Sequence, residues 1–370
     1  MNFTFSDNEK KLFQEMESVL TQENQLFVHG ALQTEKEIAG ALLSIKQKLL
    51  SLGYLENFKD TSTIGSISGL EMMRIFAKHQ PSLFLGLEYG FRIFNELKHW
   101  LTEFQIQSLQ IDDAPACAIA FCEDFVETDT KPASLTVQSN DDHFQLSGKK
   151  RFVINAGISN FLAVNGEIDD KHAIFLIPRQ SEGLDIDPLV NKRIFPGLSI
   201  ANIQLRNCPV PQSMVIYPEQ MKALISHLQL FENFISIACA LGMIDQCIET
   251  STEFAKTHQS ENKPLIAHQA VAFSLAETVT LKQTAELLAY RAAWMFDTDD
   301  PEKTVMNQCA KVFCAEAAET IASQCMNILG GQVFLDNHLV EQILFNAKFI
   351  QLTGTSTHLS RLAIADVALK

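Results

Sequence analysis

Basic charge is scarce in this chain. Its 29 Lys and Arg stand against 44 Asp and Glu, a formal net charge of −15. A nucleic-acid backbone or an anionic membrane surface requires a basic face, so the balance argues against both partners. It leaves room for a local basic pocket that takes a phosphorylated ligand. The cysteines lack a metal-binding pattern: Cys117, Cys122, Cys208, Cys239, Cys247, Cys309, Cys314 and Cys325 contain no CxxC pair, and no His sits at zinc-finger distance. No metal site is expected, and the thiols read as reduced core residues. No apolar run approaches the roughly 20 residues of a membrane span. Residues Met1–Lys11 lack the apolar core of a signal peptide, so the expectation is a cytoplasmic protein with no membrane partner. There is no internal repeat and no low-complexity segment.

What is present is a globular composition, 46% apolar and 20% charged over 370 residues. That is enough chain for two or three domains. Residues 1–115 read as a helical domain. Ser6-Asp-Asn-Glu9 is a capping box, Leu12, Phe13, Met16, Val19 and Leu20 follow at helical spacing, and further helices are expected over Ile38–Leu50, Leu70–His79 and Leu83–Trp100. The texture changes near Pro115. Leu135–Gln138 and His143–Leu146 alternate about a turn at Ser139–Asp142, and more strands are expected at Arg151–Asn155, Phe161–Val164, Ala173–Ile177 and Ile200–Leu205. Residues 116–216 are thus a β-sandwich or barrel. Residues 217–370 return to helices and predict an antiparallel bundle, with Val305, Cys309, Val312, Phe313, Ala317, Thr320, Ile321 and Ile328 on one helix face.

Four segments carry a resemblance. They are Gly148-Lys-Lys-Arg-Phe-Val-Ile-Asn155, Ala267-His-Gln-Ala-Val271, Ile328-Leu-Gly-Gly331, and Ala347-Lys-Phe-Ile-Gln-Leu-Thr-Gly-Thr-Ser356 followed by Arg361-Leu. In order, they resemble the G-x-K-x-W-I-T-N, x-H-Q-A-[IV], Gly-Gly and A-K-I-x-x-I-Y-E-G-T-S motifs of the acyl-CoA dehydrogenase family. The resemblance covers nearly the whole chain. It implies an α+β fold: an N-terminal α-helical domain, a middle β-sandwich or barrel, and a C-terminal four-helix bundle. It also implies α,β-desaturation of an acyl thioester, in which a carboxylate removes the α proton and FAD takes the β hydride at flavin N5.

The family's usual base is the Glu of Y-E-G-T, and that position here is Thr353. A minority of members, the isovaleryl- and long-chain-type enzymes, carry the base on the first helix of the C-terminal bundle in an L-E-R motif that a small-residue L-G follows. Phe231-Glu-Asn-Phe-Ile-Ser-Ile-Ala-Cys-Ala-Leu-Gly242 is similar and places Glu232 there. Read from the residues alone, Glu232 is a base, a solvated side chain or half of a buried pair. Under the resemblance Glu232 and Thr353 are catalytic, the Thr353 backbone N–H holding the thioester oxygen. FAD contacts fall to Cys122, Thr128, Phe152, Ile154, His258, Ser260, His268, Gln269, Asn327, Gly330, Gly331, Thr355 and Thr357.

Several of these positions depart from the family pattern. The R-x-x-F-G motif has become His258-Gln-Ser-Glu-Asn262, which loses the fixed charge of a guanidinium and sets Glu261 near a diphosphate. Ile154 cannot hydrogen-bond flavin N5 with its side chain, and the loop at Cys122–Asp129 lacks the family's glycines. Three functions follow from the resemblance. One is a working acyl-CoA or acyl-carrier-protein dehydrogenase that an electron-transferring flavoprotein re-oxidises; the acidic surface disfavours an equally acidic carrier protein. Another is a catalytically degenerate partner subunit of a heteromer. The third is a flavin oxidase or monooxygenase on the same scaffold. A homodimer, a homotetramer or a heteromer with a paralogue is expected in each case.

Overall fold

A computed structural model describes residues 3–24, 32, 34–56, 65–109, 116–121, 135–169, 171–189, 193–217, 221–335 and 338–369. Helix α1 (Asp7–Asn24) opens with the capping box read from the sequence. The Ser6 N–H and hydroxyl each donate to Glu9 at 2.7 Å, and the Glu9 N–H donates back to Ser6 Oγ at 3.3 Å. Helix α2 (Glu35–Leu50) repeats the device with Thr34 and Glu37. Helix α3 (Ser66–His79) and a broken rod follow. The stretch expected as one helix over Leu83–Trp100 is instead α4 (Pro81–Leu87), a π-helical turn (Glu88–Arg92) and α5 (Ile93–Lys98). The buried ion pair between Arg92 and Glu88 lies inside the widened turn. Helix α6 (Glu103–Ser108) ends this part.

Among the described residues, eight strands form two stacked four-stranded sheets. The first runs β1 (Cys117–Ala120), β4 (Phe161–Ile168), β5 (Lys171–Pro178), β8 (Val215–Ile216), with only the β1–β4 pair parallel. The second runs β2 (Thr136–Ser139), β3 (His143–Ile154), β7 (Ile200–Pro211), β6 (Leu184–Pro188) and is antiparallel throughout. Phe144 of β3 meets Phe175 of β5 edge-on at 5.7 Å between the sheets. The buried Lys150 crosses the same interior to Asn165 Oδ1 at 2.6 Å. The two strands expected at His143–Leu146 and Arg151–Asn155 are one strand, β3, whose register slips between Lys150 and Val153. Strand β6 escaped the sequence reading because it is an edge strand with no fully buried position, and so shows no apolar alternation.

The rest is helical: α7 (Met221–Thr257), α8 (Gln269–Asp297), α9 (Lys303–Leu329), α10 (Leu339–Leu352) and α11 (Thr357–Ala368). A two-strand ribbon, β9 (Gln259–Ser260) with β10 (Lys263–Pro264), joins α7 to α8. Helix α7 corrects one expectation of the sequence. Over Ala223–Thr257 it is long and apolar enough to cross a membrane, because scattered polar residues interrupt the apolar runs without lowering the mean hydropathy much. Its most apolar window is 72% buried inside the molecule, where α3, α8, α9 and α10 surround it as the core rod. The close approach to α3 is made at Gly242, where a Cβ would stand 2.5 Å from the Lys78 N and 2.7 Å from the Arg74 carbonyl. Three residues on, Arg74 donates to both oxygens of the buried Asp245, at 2.6 and 2.8 Å.

The expected apolar face of α9 is also rotated. Val305 is half-buried and Thr320 exposed, and the buried stripe runs through Asn307, Lys311, Cys314, Ala318, Ile321 and Cys325. Small side chains allow close packing against α7 and α8, so alanine and cysteine mark the interior better than valine does here.

Candidate active site

A cavity of about 220 Å³ opens where five parts of the chain converge, one of them β1 with Ile119 and the adjoining Phe121. Glu232 and Gln229 enter it from α7, and Tyr89 from the π-helical turn. Arg151, Phe152 and Ile154 come from β3, and residues 352–356 with His358 come from the segment joining α10 to α11. The irregularity in β3 explains its contribution. Phe152 has φ 54°, so consecutive side chains, Arg151 and Phe152, both reach the cavity instead of alternating across the sheet. Asn155, also at positive φ (63°), fixes the end of this strand by donating its Nδ2 to the Gly86 carbonyl at 2.7 Å. That bond ties β3 to α4, just ahead of the turn that presents Tyr89.

Glu232 is buried, 8% exposed, and points into the cavity. Burial pushes its carboxyl up to about 7, and the Lys311 ammonium opposes that rise. Its neighbour across the turn is Gly354, at φ +61°, where a Cβ would stand 3.3 Å from Glu232 Oε2. The left-handed conformation and the contact both favour glycine. Tyr89 also faces Glu232, and burial together with that carboxylate holds its phenol well above the ordinary range.

The segment 353–356 divides its labour. Ser356 is the N-cap of α11, its Oγ accepting the Leu359 N–H at 3.2 Å. Thr355 is buried, and its Oγ1 has no hydrogen-bond partner among the described residues. Thr353 corrects an expectation. Its N–H donates to the Phe349 carbonyl at 3.0 Å and its hydroxyl to the same oxygen at 2.6 Å, which closes the last turn of α10. That amide is committed to the helix end and does not reach for a thioester oxygen.

The other expected contacts lie elsewhere. His258, Gly330 and Gly331 line a second, open cleft of about 550 Å³ with Phe254 and Leu265. The exposed His258 ring stacks on Phe254, centroids 4.7 Å apart and planes 15° from parallel. Beyond it Glu261 and Asn262, at φ 53° and 62°, form the turn of the β9–β10 ribbon. His268 Nε2 lies 3.2 Å from the Ser260 carbonyl and pins that ribbon. Gln269 and Asn327 are exposed and line neither cleft, and Thr357 is buried at the start of α11. Cys122 and Thr128 lie outside the described residues. The sequence reading missed Tyr89, Arg151 and Lys311. The signal for Lys311 was its place on the Ala/Cys stripe of α9, where a cation is out of pattern.

A helical N-terminal part, a β-sandwich and a helical bundle meeting at one buried carboxylate define a class of flavin-dependent oxidoreductases. A family model for the acyl-CoA dehydrogenase C-terminal domain matches residues 230–369. The human mitochondrial short-chain specific acyl-CoA dehydrogenase is 27% identical over 297 residues, 78% of this chain and 70% of the relative. Butyryl-CoA dehydrogenase from Megasphaera elsdenii superposes with a TM-score of 0.86 at 18% identity, over 100% of each chain. PigA, solved with FAD and proline, superposes at 0.86 and 17% identity, over 100% of this chain and 99% of its own. Residues 230–369 thus match the C-terminal domain of the acyl-CoA dehydrogenase family, and the whole chain shares the fold of its solved members.

Proposed function

We propose that this protein is an FAD-dependent dehydrogenase of acyl thioesters and that Glu232 is its base. The observation that carries the reading is the buried Glu232 carboxyl at the cavity wall, with a proton affinity near neutrality. A base works best when its pKa lies near the working pH, and desolvation supplies that here. The Y-E-G-T position supplies Thr353, which has no acidic group, and among the described residues Glu232 is the one carboxylate lining the cavity.

The residues present fit a flavin. Phe152 offers an aromatic face, and the unpartnered Thr355 hydroxyl offers a hydrogen bond in a buried wall. Gly330 and Gly331 leave open space at the second cleft, with nothing within 4 Å of a Cβ built on either. FAD, when bound, supplies the acceptor for the β hydride. The chain's own part is to take the α proton on a Glu232 oxygen and to exclude water with Tyr89, Phe152 and Leu352. Seating the cofactor falls to Thr355 and, at the second cleft, to His258 and the glycine pair. An electron-transferring flavoprotein is the re-oxidising partner in this reading, and coenzyme A is the acyl carrier.

The degenerate-subunit reading draws on His258 and Glu261, which weaken a diphosphate site. Flavin content separates the two. The isolated protein should bind FAD, shown by its visible absorption, and should bleach with a saturated acyl-CoA. Glu232→Gln should keep the flavin and lower turnover by about 10²–10⁴-fold. A colourless wild-type protein that takes up no added FAD would overturn the dehydrogenase, and equal turnover by both proteins would remove Glu232 from the reaction.

A further inference from the structure

Lys311 lies on α9 inside the bundle, 1% exposed. Burying an ammonium is costly unless its donors and its charge are answered. Its donors are answered by backbone: Nζ donates to the Thr353 carbonyl at 3.1 Å and to the Thr355 carbonyl. These two carbonyls flank Gly354, the residue against which Glu232 rests. No carboxylate among the described residues lies within ion-pairing distance of Lys311. The charge that acts on it is that of Glu232.

The surroundings of Glu232 leave little else to balance it. Tyr89 faces it from the π-helical turn. Arg151 from β3 and His358 from α11 line the same cavity at exposed positions, where solvent screens them. On α7 itself, His227 is held by Glu96 at 2.9 Å, and Asp245 by Arg74 and Lys282. Lys311 is the buried cation of the set.

We propose that Lys311 is the positioning residue of the site, anchoring the 353–355 turn through two carbonyls and supplying the fixed positive charge that keeps Glu232 available as a proton acceptor. This rests on the reading of Glu232 as the base. The mutual influence of the two groups agrees with it. Burial brings Lys311 down to about 8, against which Glu232 acts, while Lys311 restrains the rise of Glu232. The segment that carries the base in most of the family has become, in this chain, a backbone bridge between a lysine and a base on another helix.

The test reads the Glu232 proton directly, so it stands whether or not a substrate is found. Infrared difference spectra of the FAD-loaded protein between pH 5 and 9, compared with Glu232→Gln, isolate the Glu232 carboxyl band. Lys311→Met should move its titration upward by about one pH unit or more, which cuts the ionised base at pH 7 about fivefold or more. Lys311→Arg, which keeps the charge, should move it by less than half as much. Where a turnover assay exists, the acid limb of kcat/KM should follow the band. A folded Lys311→Met protein with a lowered Tm and an unmoved titration marks a purely structural lysine and overturns the proposal. If Lys311→Met does not fold, Lys311→Gln carries the same criterion. A wild type that binds FAD but desaturates nothing counts against the proposed activity alone, since the band shift still decides the role of Lys311.

Discussion

Glu232 Oε2 stands 3.3 Å from where a Cβ on Gly354 would be, so the base faces the turn at the other end of the bundle with little room for a side chain between them. Gly354 also has φ +61°, a conformation that costs an L side chain roughly 1 kcal/mol or more. Gly354→Ala should therefore lower stability by about that amount and displace the carboxyl. The expected outcome is a small fall in Tm with a much larger fall in kcat, measured on the FAD-loaded protein. A normal kcat would show that the contact does not place the base.

The pH dependence follows from the same carboxyl. A base must be ionised to accept a proton, and burial raises Glu232 to about 7. Below that value kcat/KM should rise about tenfold per pH unit, and above it the rise should flatten. An ordinary exposed glutamate would complete its titration near pH 4.5 and leave the rate flat from pH 6 upward, so a steady-state profile from pH 5.5 to 8 distinguishes the two.

Thr355 offers a substitution in the opposite sense. Its buried hydroxyl has no partner among the described residues, so Thr355→Val removes a group that gains nothing in the protein alone. Stability without FAD should be unchanged or slightly higher. FAD affinity should fall by roughly 1 kcal/mol, about fivefold, the worth of one hydrogen bond. Flavin titration and thermal melts on the same samples give both numbers.

Arg74 is the clamp between α3 and the bundle. Its guanidinium meets Asp245, Glu71 and Glu286, and removing it leaves three acids around one lysine, Lys282. Breaking a buried pair by deleting one partner costs about 3–5 kcal/mol, and Arg74→Ala should lose about that much in denaturant unfolding. The sign with pH can be stated. Burial pushes the Asp245 carboxyl up, but the hydrogen bonds and charges of Arg74 and Lys282 together outweigh burial and hold it below its ordinary value. Its contribution is present above the usual aspartate range and fades as pH falls through the lowered value.

Much of this was legible from residue types at fixed spacing. The Ser6/Glu9 box, the Ser139–Asp142 turn and the helix end at Gly330 are local devices, and local sequence specifies them. Glu232 was legible because the absence of an acid at Thr353 left one other acid in a matching context. What failed to show was long-range. The Thr353 amide reads as free in sequence, and only the three-dimensional end of α10 shows it bound to Phe349. Arg151 reaches the cavity because β3 slips register, which no alternation pattern announces. Lys311 hid on a stripe of alanines and cysteines, because periodicity counts apolar residues and passes over a cation whose partners are backbone carbonyls.

The glycine at position 242 carries a final implication for how the base is aimed. It seats α7 against α3 at a spacing that only a hydrogen side chain permits, ten residues beyond Glu232 on an unbroken helix. At about 100° of rotation per residue, the azimuth of the carboxylate is fixed by where that glycine docks. A single-residue insertion between the two would leave every side chain of the motif in the chain and swing the acid about a quarter-turn away from its target, silencing the protein through phase alone.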